Sequence, residues 1–384
     1  MKNSIKFLLL LSSTLNLLYA NQLHKAFENI QTNGYLRSAY EIHKVKNDKT
    51  YKDGAIGGKV HIQTAPLYGI SLGSSFYASN ALGTSDNRGL VPFRGEVARS
   101  YAILGEAYLE VNIGKTLLKI GRQELNTPFA QMDDIGMVPN TFEAYILQNK
   151  EIQNTTLFLG QIQKMSGVDA QVVDQFTSIN GNNNMQTVGI EYEGLKNLTV
   201  SLWYAYLKNA TVNTIYYIET DYQISFSYLD FSIGLQYAKE EYLNQKDASI
   251  FGLSTSTTFT NLGLTLAIAY NKSNDNASFS GFGGGPFFAN SEYLIIDNIG
   301  KNGSQLWFGG ELDASLLNIN DLTFGLHQAI LTNEAKQESH EIDFTINYQL
   351  SEDFAFQSIY SHLNGSNIGE DNANHLRIFV NYLF

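Results

Sequence analysis

The stretch His340-Glu341-Ile342-Asp343-Phe344-Thr345-Ile346-Asn347-Tyr348-Gln349-Leu350 alternates without a break. Ile342, Phe344, Ile346, Tyr348 and Leu350 fall on one face of an extended chain, and Glu341, Asp343, Thr345, Asn347 and Gln349 on the other. Successive strand side chains point to opposite sides, so one face is greasy and the other wet. A segment of this length suits a strand tilted across a bilayer, apolar side to lipid and polar side to water.

The pattern recurs along the chain. Leu376, Ile378, Val380, Tyr382 and Phe384 share a face, with His375, Arg377 and Asn381 opposite. Leu198, Val200, Leu202, Tyr204 and Tyr206 form another stripe, as do Phe231, Ile233, Leu235 and Tyr237, and Leu262, Leu264, Leu266, Ile268 and Tyr270. Most stripes end on an aromatic residue, as interfacial girdles require. Short connections at Ala65–Gly69, Asn112–Lys115, Gly194–Asn197, Leu317–Asn320 and Ser351–Asp353 are expected on the periplasmic side. Long ones at Lys44–Gly54, Asn80–Ser100, Leu125–Thr141, Met165–Asn184, Asn271–Ser304 and Asn364–Asn374 are expected outside, with brief exceptions near Lys208–Thr211 and Tyr242–Asp247. The reading is all-β: a transmembrane antiparallel β-barrel of about 18 strands, with 16 the alternative, because Thr155–Gln163 and Ser249–Phe259 alternate weakly. Backbone groups in lipid must all be paired, so such a sheet closes on itself. A barrel of that size encloses an aqueous channel. A soluble sandwich would set one sheet face on another, whereas these polar faces offer no apolar partner surface.

The start of the chain fixes the compartment. Met1-Lys2-Asn3-Ser4-Ile5-Lys6 is positive, Phe7–Leu11 is apolar, and Leu18-Tyr19-Ala20 offers a cleavage site, so residues 1–20 are expected to be a secretory signal peptide and 21–384 the barrel. Removing them takes the formal net charge from -12 to -14. That acidity argues against a nucleic-acid partner. Cys is absent, which excludes a disulfide framework, a thiolate metal site and a lipoprotein anchor. Phe384, an aromatic last residue on an alternating strand, is the usual mark of bacterial outer-membrane barrels and is expected to be read by the barrel-assembly machinery.

Chemistry is sought and not found. None of the seven His residues has carboxylate spacing that suggests a metal. Ser361-His362 matches no nucleophile pattern, and Gly283-Gly284-Gly285 lacks the Lys-Ser/Thr of a phosphate cradle. The Asn-rich runs Asn180–Asn184 and Asn271–Asn276 read as surface loops, with Asp275 a remote candidate for calcium. No enzyme, cofactor or metal is expected.

Ile120-Gly121-Arg122-Gln123-Glu124-Leu125-Asn126-Thr127-Pro128-Phe129, then Asp133-Asp134 and Val138-Pro139-Asn140-Thr141-Phe142, resembles the third-loop region of OprD-type porins. Gly281-Phe282-Gly283-Gly284-Gly285-Pro286-Phe287-Phe288 looks like that family's long seventh loop. The resemblance implies an 18-stranded monomeric or loosely trimeric outer-membrane channel. Its loops near 125–141 and 271–304 would fold inward, and small amino-acid-like or carboxylate solutes would diffuse through passively. The family lines its path with a ladder of arginines. This chain departs from it, with Gly136 before the hydrophobic-Pro step and no Arg around Ser166-Gly167-Val168, which puts anionic substrates in doubt.

Asp133 and Asp134 are therefore the candidate constriction charges, since carboxylates in a narrow, lower-dielectric space attract cations. Strand phase puts Glu106, Glu110, Glu143, Glu219, Asp221, Glu311, Asp313, Glu341 and Asp343 inward, against Arg37, Lys59, Lys119 and Arg377. Arg122 shares phase with Leu118 and Ile120 and is expected at the rim, reaching into the lumen. The expectation is a diffusion porin in the bacterial outer membrane for small hydrophilic solutes and ions, leaning to cations or neutral solutes. A surface adhesin or structural barrel without transport is the alternative.

Overall fold

The computed structural model describes residues 23–82, 100–365 and 372–384. The expected signal peptide and parts of the two long connections near Asn80–Ser100 and Asn364–Asn374 lie outside the described residues. The described strands that form the ring begin with β1 (Gln31–Val45), β2 (Thr50–Gln63), β3 (Ile70–Ala81), β4 (Tyr101–Ile113), β5 (Thr116–Gln123) and β6 (Thr141–Asn149). Next come β7 (Thr155–Ser166), β8 (Met185–Leu195), β9 (Leu198–Leu207), β10 (Val212–Ser225), β11 (Leu229–Tyr242) and β12 (Ala248–Phe259). The last are β13 (Leu264–Asn274), β14 (Ser304–Asp313), β15 (Leu322–Thr332), β16 (Glu338–Gln349), β17 (Phe354–Gly365) and β18 (Ala373–Leu383).

Each strand pairs antiparallel with its neighbours in sequence, and β18 pairs with β1 from Tyr35↔Leu383 to Val45↔Ala373. The ring is closed at eighteen strands. The two weakly alternating segments form β7 and β12, which rules out sixteen. At the seam, Gly34 N donates to the Phe384 carbonyl at 2.9 Å and Phe384 N to the Gly34 carbonyl at 3.1 Å. Both described ends of the chain thus lie on the short-turn side. One connection expected to be long is short: β1 and β2 run further than their hydrophobic stripes suggest, leaving only 46–49 as the turn.

The apolar stripes face outward, as alternation requires. Ile342, Phe344, Leu202, Leu235, Leu266, Ile268 and Val380 are all exposed, which for a barrel in lipid is the buried condition. The interior differs from the sequence expectation. Part of the inner wall is apolar: Phe142, Ala144, Ile146, Ile162, Met185, Ala205, Ile215, Tyr217 and Ile250 pack against Leu125, Phe129 and Ala130 of the third loop (124–140) and Phe287 and Ile296 of the seventh (275–303). The apolar partner surface that the strand pattern hides is therefore supplied by loops. The apolar part of both loops rests on β6–β12, while Met137 and Val138 of the third loop pack on Ala39, Ala55 and Tyr77, and Leu294 of the seventh packs on Ala329, Leu331 and Leu363, so both loops also reach the opposite wall.

Candidate functional site: a constriction between the third and seventh loops

The third loop is folded on itself by a small hairpin, Asn126–Thr127 with Ala130–Gln131. Phe129 at its tip meets Tyr217 of β10 edge-on at 5.6 Å. The seventh loop then zips onto it. Phe282 N donates to the Phe129 carbonyl at 3.0 Å, Gln131 N to the Phe282 carbonyl at 2.9 Å, and Gly284 N to Asp133 Oδ2 at 3.1 Å. Gly281 (φ 91°) sits where a Cβ would lie 2.5 Å from the Phe129 carbonyl oxygen, so this approach needs glycine.

Asp134 does not stand free. Its two carboxylate oxygens accept from Arg37 of β1 at 2.7 and 2.8 Å, a bidentate pair. The same guanidinium donates to the Gly136 carbonyl at 2.6 Å and to Asn381 Oδ1 at 2.8 Å, and it rests over the rings of Tyr35 and Phe379. Where the family pattern has an arginine side chain, this chain thus presents a backbone acceptor to an arginine from the wall. Asp133 neighbours Asp169 of the fourth loop (167–184), whose carboxyl also accepts from Asn140 Nδ2 at 2.7 Å. Burial, helped by the nearness of Asp133, pushes the Asp169 carboxyl up to about 6.

The seventh loop is tied down by acids of the wall. Glu341 accepts from Tyr293 N at 3.0 Å and Leu294 N at 2.7 Å, and Asp343 from Ser291 Oγ at 3.0 Å. Arg377 of β18 forms an ion pair with Glu292 of the same loop. Between the two loops and the wall is a cleft lined by Asp134, Ile135, Glu292, Asn347, Gln357 and Arg377, among others. On the wall of β2–β5, Lys59 lies 2.8 Å from Glu124 and 3.1 Å from Glu106. Lys119 lies 4.0 Å from Glu106 and over the Tyr108 ring.

Towards the short turns the inner face carries Glu110, Glu219, Asp221, Glu311 and Asp313. Among the described residues none of these five has a lysine or arginine within salt-bridge distance. They are held instead by Asn112, Tyr217, Gln223, a 3.8 Å approach from His327, and Ser315 N respectively.

Two placements differ from the phase argument. Glu143 lies on the outer face, because its neighbours Phe142 and Ala144 turn inward to meet the third loop. Arg122 pairs in register with Glu143 and stays outside with it, Nε 4.0 Å from that carboxylate and guanidinium over the Phe176 ring of the fourth loop. Its expected reach into the lumen is not seen. Glu124, Glu292 and Asp169 were not singled out as site residues from the sequence. The first two hold basic side chains and the third joins the loops, yet none sits in a periodic segment that would have betrayed it.

A closed eighteen-stranded ring, a third loop and a seventh loop joined inside it, and basic wall residues facing loop carboxylates make one arrangement. The family model described as outer membrane porin, OprD family, matches residues 41–384. The chain belongs to the OprD family. This places it in the bacterial outer membrane as a porin, a channel for small solutes and ions. No curated protein matches the chain. Among solved structures, Pseudomonas aeruginosa OccK9 (OpdG) is 19% identical with a TM-score of 0.79, the match covering 94% of this chain and 99% of that one. Acinetobacter baumannii OccAB3 is 17% identical (TM-score 0.79; 93% and 99% covered). Pseudomonas aeruginosa OpdK, solved with vanillate, is 15% identical (TM-score 0.78; 93% and 99% covered). At these identities the likeness is one of fold. The side chains lining this OprD-family lumen must be read from the chain itself.

Proposed function

We propose that this porin is a passive, cation-leaning channel for small hydrophilic solutes that carries out no reaction. The observation behind the reading is an imbalance of pairing. Each inner-face cation among the described residues (Arg37, Lys59, Lys119 and Arg377) lies within 4.0 Å of a carboxylate. Glu110, Glu219, Asp221, Glu311 and Asp313 keep no such cation. Fixed negative charge lining a confined aqueous path raises the local concentration of cations. OpdK was solved with vanillate, an aromatic carboxylate. In this chain the arginines that a carboxylate would seek are already engaged by Asp134 and Glu292.

In this reading Asp133, Asp134, Glu292 and Arg377 form the narrowest polar passage, and Glu106, Lys119, Glu341 and Asp343 shape the wall around it. Arg122 and Glu143 belong to the rim. Residues 1–20 direct export, Phe384 is the handle for barrel assembly, and the channel works as a monomer or loose trimer. A planar bilayer under a KCl gradient tests the selectivity. The expected reversal potential favours K⁺, and clear preference for Cl⁻ sinks the reading. Liposome swelling in sugar or amino-acid solutions tests the conduit itself, since a sealed barrel would leave the vesicles unswollen.

A further inference from the structure

Outside the lumen, the long-loop rim of β13–β16 carries a basic patch with no part in permeation. Lys272 is on the lipid-facing side of β13, one outward position above Tyr270, and it pairs in register with the exposed Phe251 of β12. Its ammonium therefore stands where hydrocarbon gives way to headgroups. Its Nζ donates to the Asn302 carbonyl at 2.6 Å, and Lys336, in the turn after β15, is near enough to repel it. Lys301 and Asn302 both reach Glu334, at 3.3 and 2.8 Å. Lys301 pairs with Glu334, Lys272 is drawn to the same carboxylate, and Lys336 stands near Lys272, on a chain whose net charge is -12. Among the described residues neither Lys272 nor Lys336 has a carboxylate within salt-bridge distance. Two further acids stand along the rim: Asp275, whose backbone N donates to Asn302 Oδ1 at 2.9 Å, and Glu338, turned to His340 at 3.4 Å.

We propose that Lys272, Lys301 and Lys336 hold a phosphate of the phosphorylated glycolipid that forms the outer leaflet of a bacterial outer membrane. The level fits, because Lys272 stands one outward position beyond Tyr270 and beside the exposed Phe251 on the long-loop side. The sign fits, because an excess of ammonium groups at a membrane surface draws anionic headgroups. A contrasting rim site supplies the control. Lys239 of β11 lies likewise above the outward Tyr237, but Glu241 and Asp247 approach it at 3.2 and 3.5 Å, so two carboxylates answer one lysine.

The test uses the full barrel refolded in detergent and titrated with deep-rough lipopolysaccharide, with its dephosphorylated form and phosphatidylglycerol as comparators. The readout is the temperature at which the compact band is lost on a semi-native gel. Lipopolysaccharide should raise that temperature, the dephosphorylated form should not, and phosphatidylglycerol should be clearly weaker. A Lys272→Ala/Lys301→Ala/Lys336→Ala variant should need more glycolipid, about fivefold for each lysine removed at low salt. Lys239→Ala should behave as the parent. Unchanged channel conductance of the triple variant shows that it is folded. The proposal is overturned if the triple variant responds as the parent does, if the dephosphorylated form or phosphatidylglycerol works equally well, or if Lys239→Ala loses as much.

Discussion

The Arg37–Asp134 pair shows what one residue contributes where the third loop meets the wall. Arg37 is 5% exposed and Asp134 33%, so the pair lies between a surface ion pair and a buried one. Replacing Asp134 with Asn leaves a guanidinium charge without its carboxylate, which costs about 2 kcal/mol of loop docking. It also adds a net positive charge to the passage. Reversal potentials in a KCl gradient should therefore move towards anions for Asp134→Asn, and an unmoved potential would place the pair outside the ion path. Asp169 supplies the pH dependence. Its carboxyl is raised to about 6 in the fold against about 3.9 in an unfolded chain, so the folded state binds the extra proton. The stability it lends is complete below about pH 4 and fades as pH rises through 6. Proteolytic nicking of the fourth loop should accordingly increase between pH 5 and pH 7.5, and Asp169→Asn should flatten that rise. Phase along a strand located most of the wall residues but could not place Glu143. The rule that polar side chains face inward reverses where Phe142, Ala144 and Ile146 have a loop to pack against, and nothing local to the sequence announces that loop.

Among the elements, the two inward loops behave as one body because backbone hydrogen bonds join them at Phe129, Gln131 and Phe282. Gly281 and Gly283 are the close points of that seam, where an added Cβ would lie 2.5 Å from the Phe129 carbonyl oxygen and 2.4 Å from that of Gln131. Gly281→Ala forces a side chain into a left-handed backbone conformation and against a carbonyl oxygen, a strain of roughly 1–3 kcal/mol. The expected result is a larger or noisier single-channel conductance with the barrel still heat-modifiable on gels. An unchanged conductance would mean that the seam does not set the narrow point. The strands themselves were legible at this scale, since His340–Leu350 and its repeats need only alternation to be found. The resting place of the loops was less so. Gly281–Phe288 could be picked out by resemblance, but the partner carbonyl at Phe129 lies some 150 positions away in sequence, and no periodicity links the two.

The barrel as a whole is held shut by β1 and β18, with Phe384 and Gly34 exchanging the last two hydrogen bonds of the seam. Phe384→Ser should lower the yield of heat-modifiable barrel in outer membranes, by several-fold under fast expression, while leaving the conductance of the barrels that do form unchanged. Equal yields would remove Phe384 from any part in assembly. The seam has a consequence for biogenesis. The strand that must meet the first one is the eighteenth, so any chain that lacks it is a curtain with two raw hems. No intermediate can rest in hydrocarbon by itself, because each hem would carry a full row of unanswered amide groups. A chain cut short of β18 should therefore be cleared from the periplasm rather than tolerated as a leaky half-pore, and the arrival of that strand becomes the checkpoint for insertion.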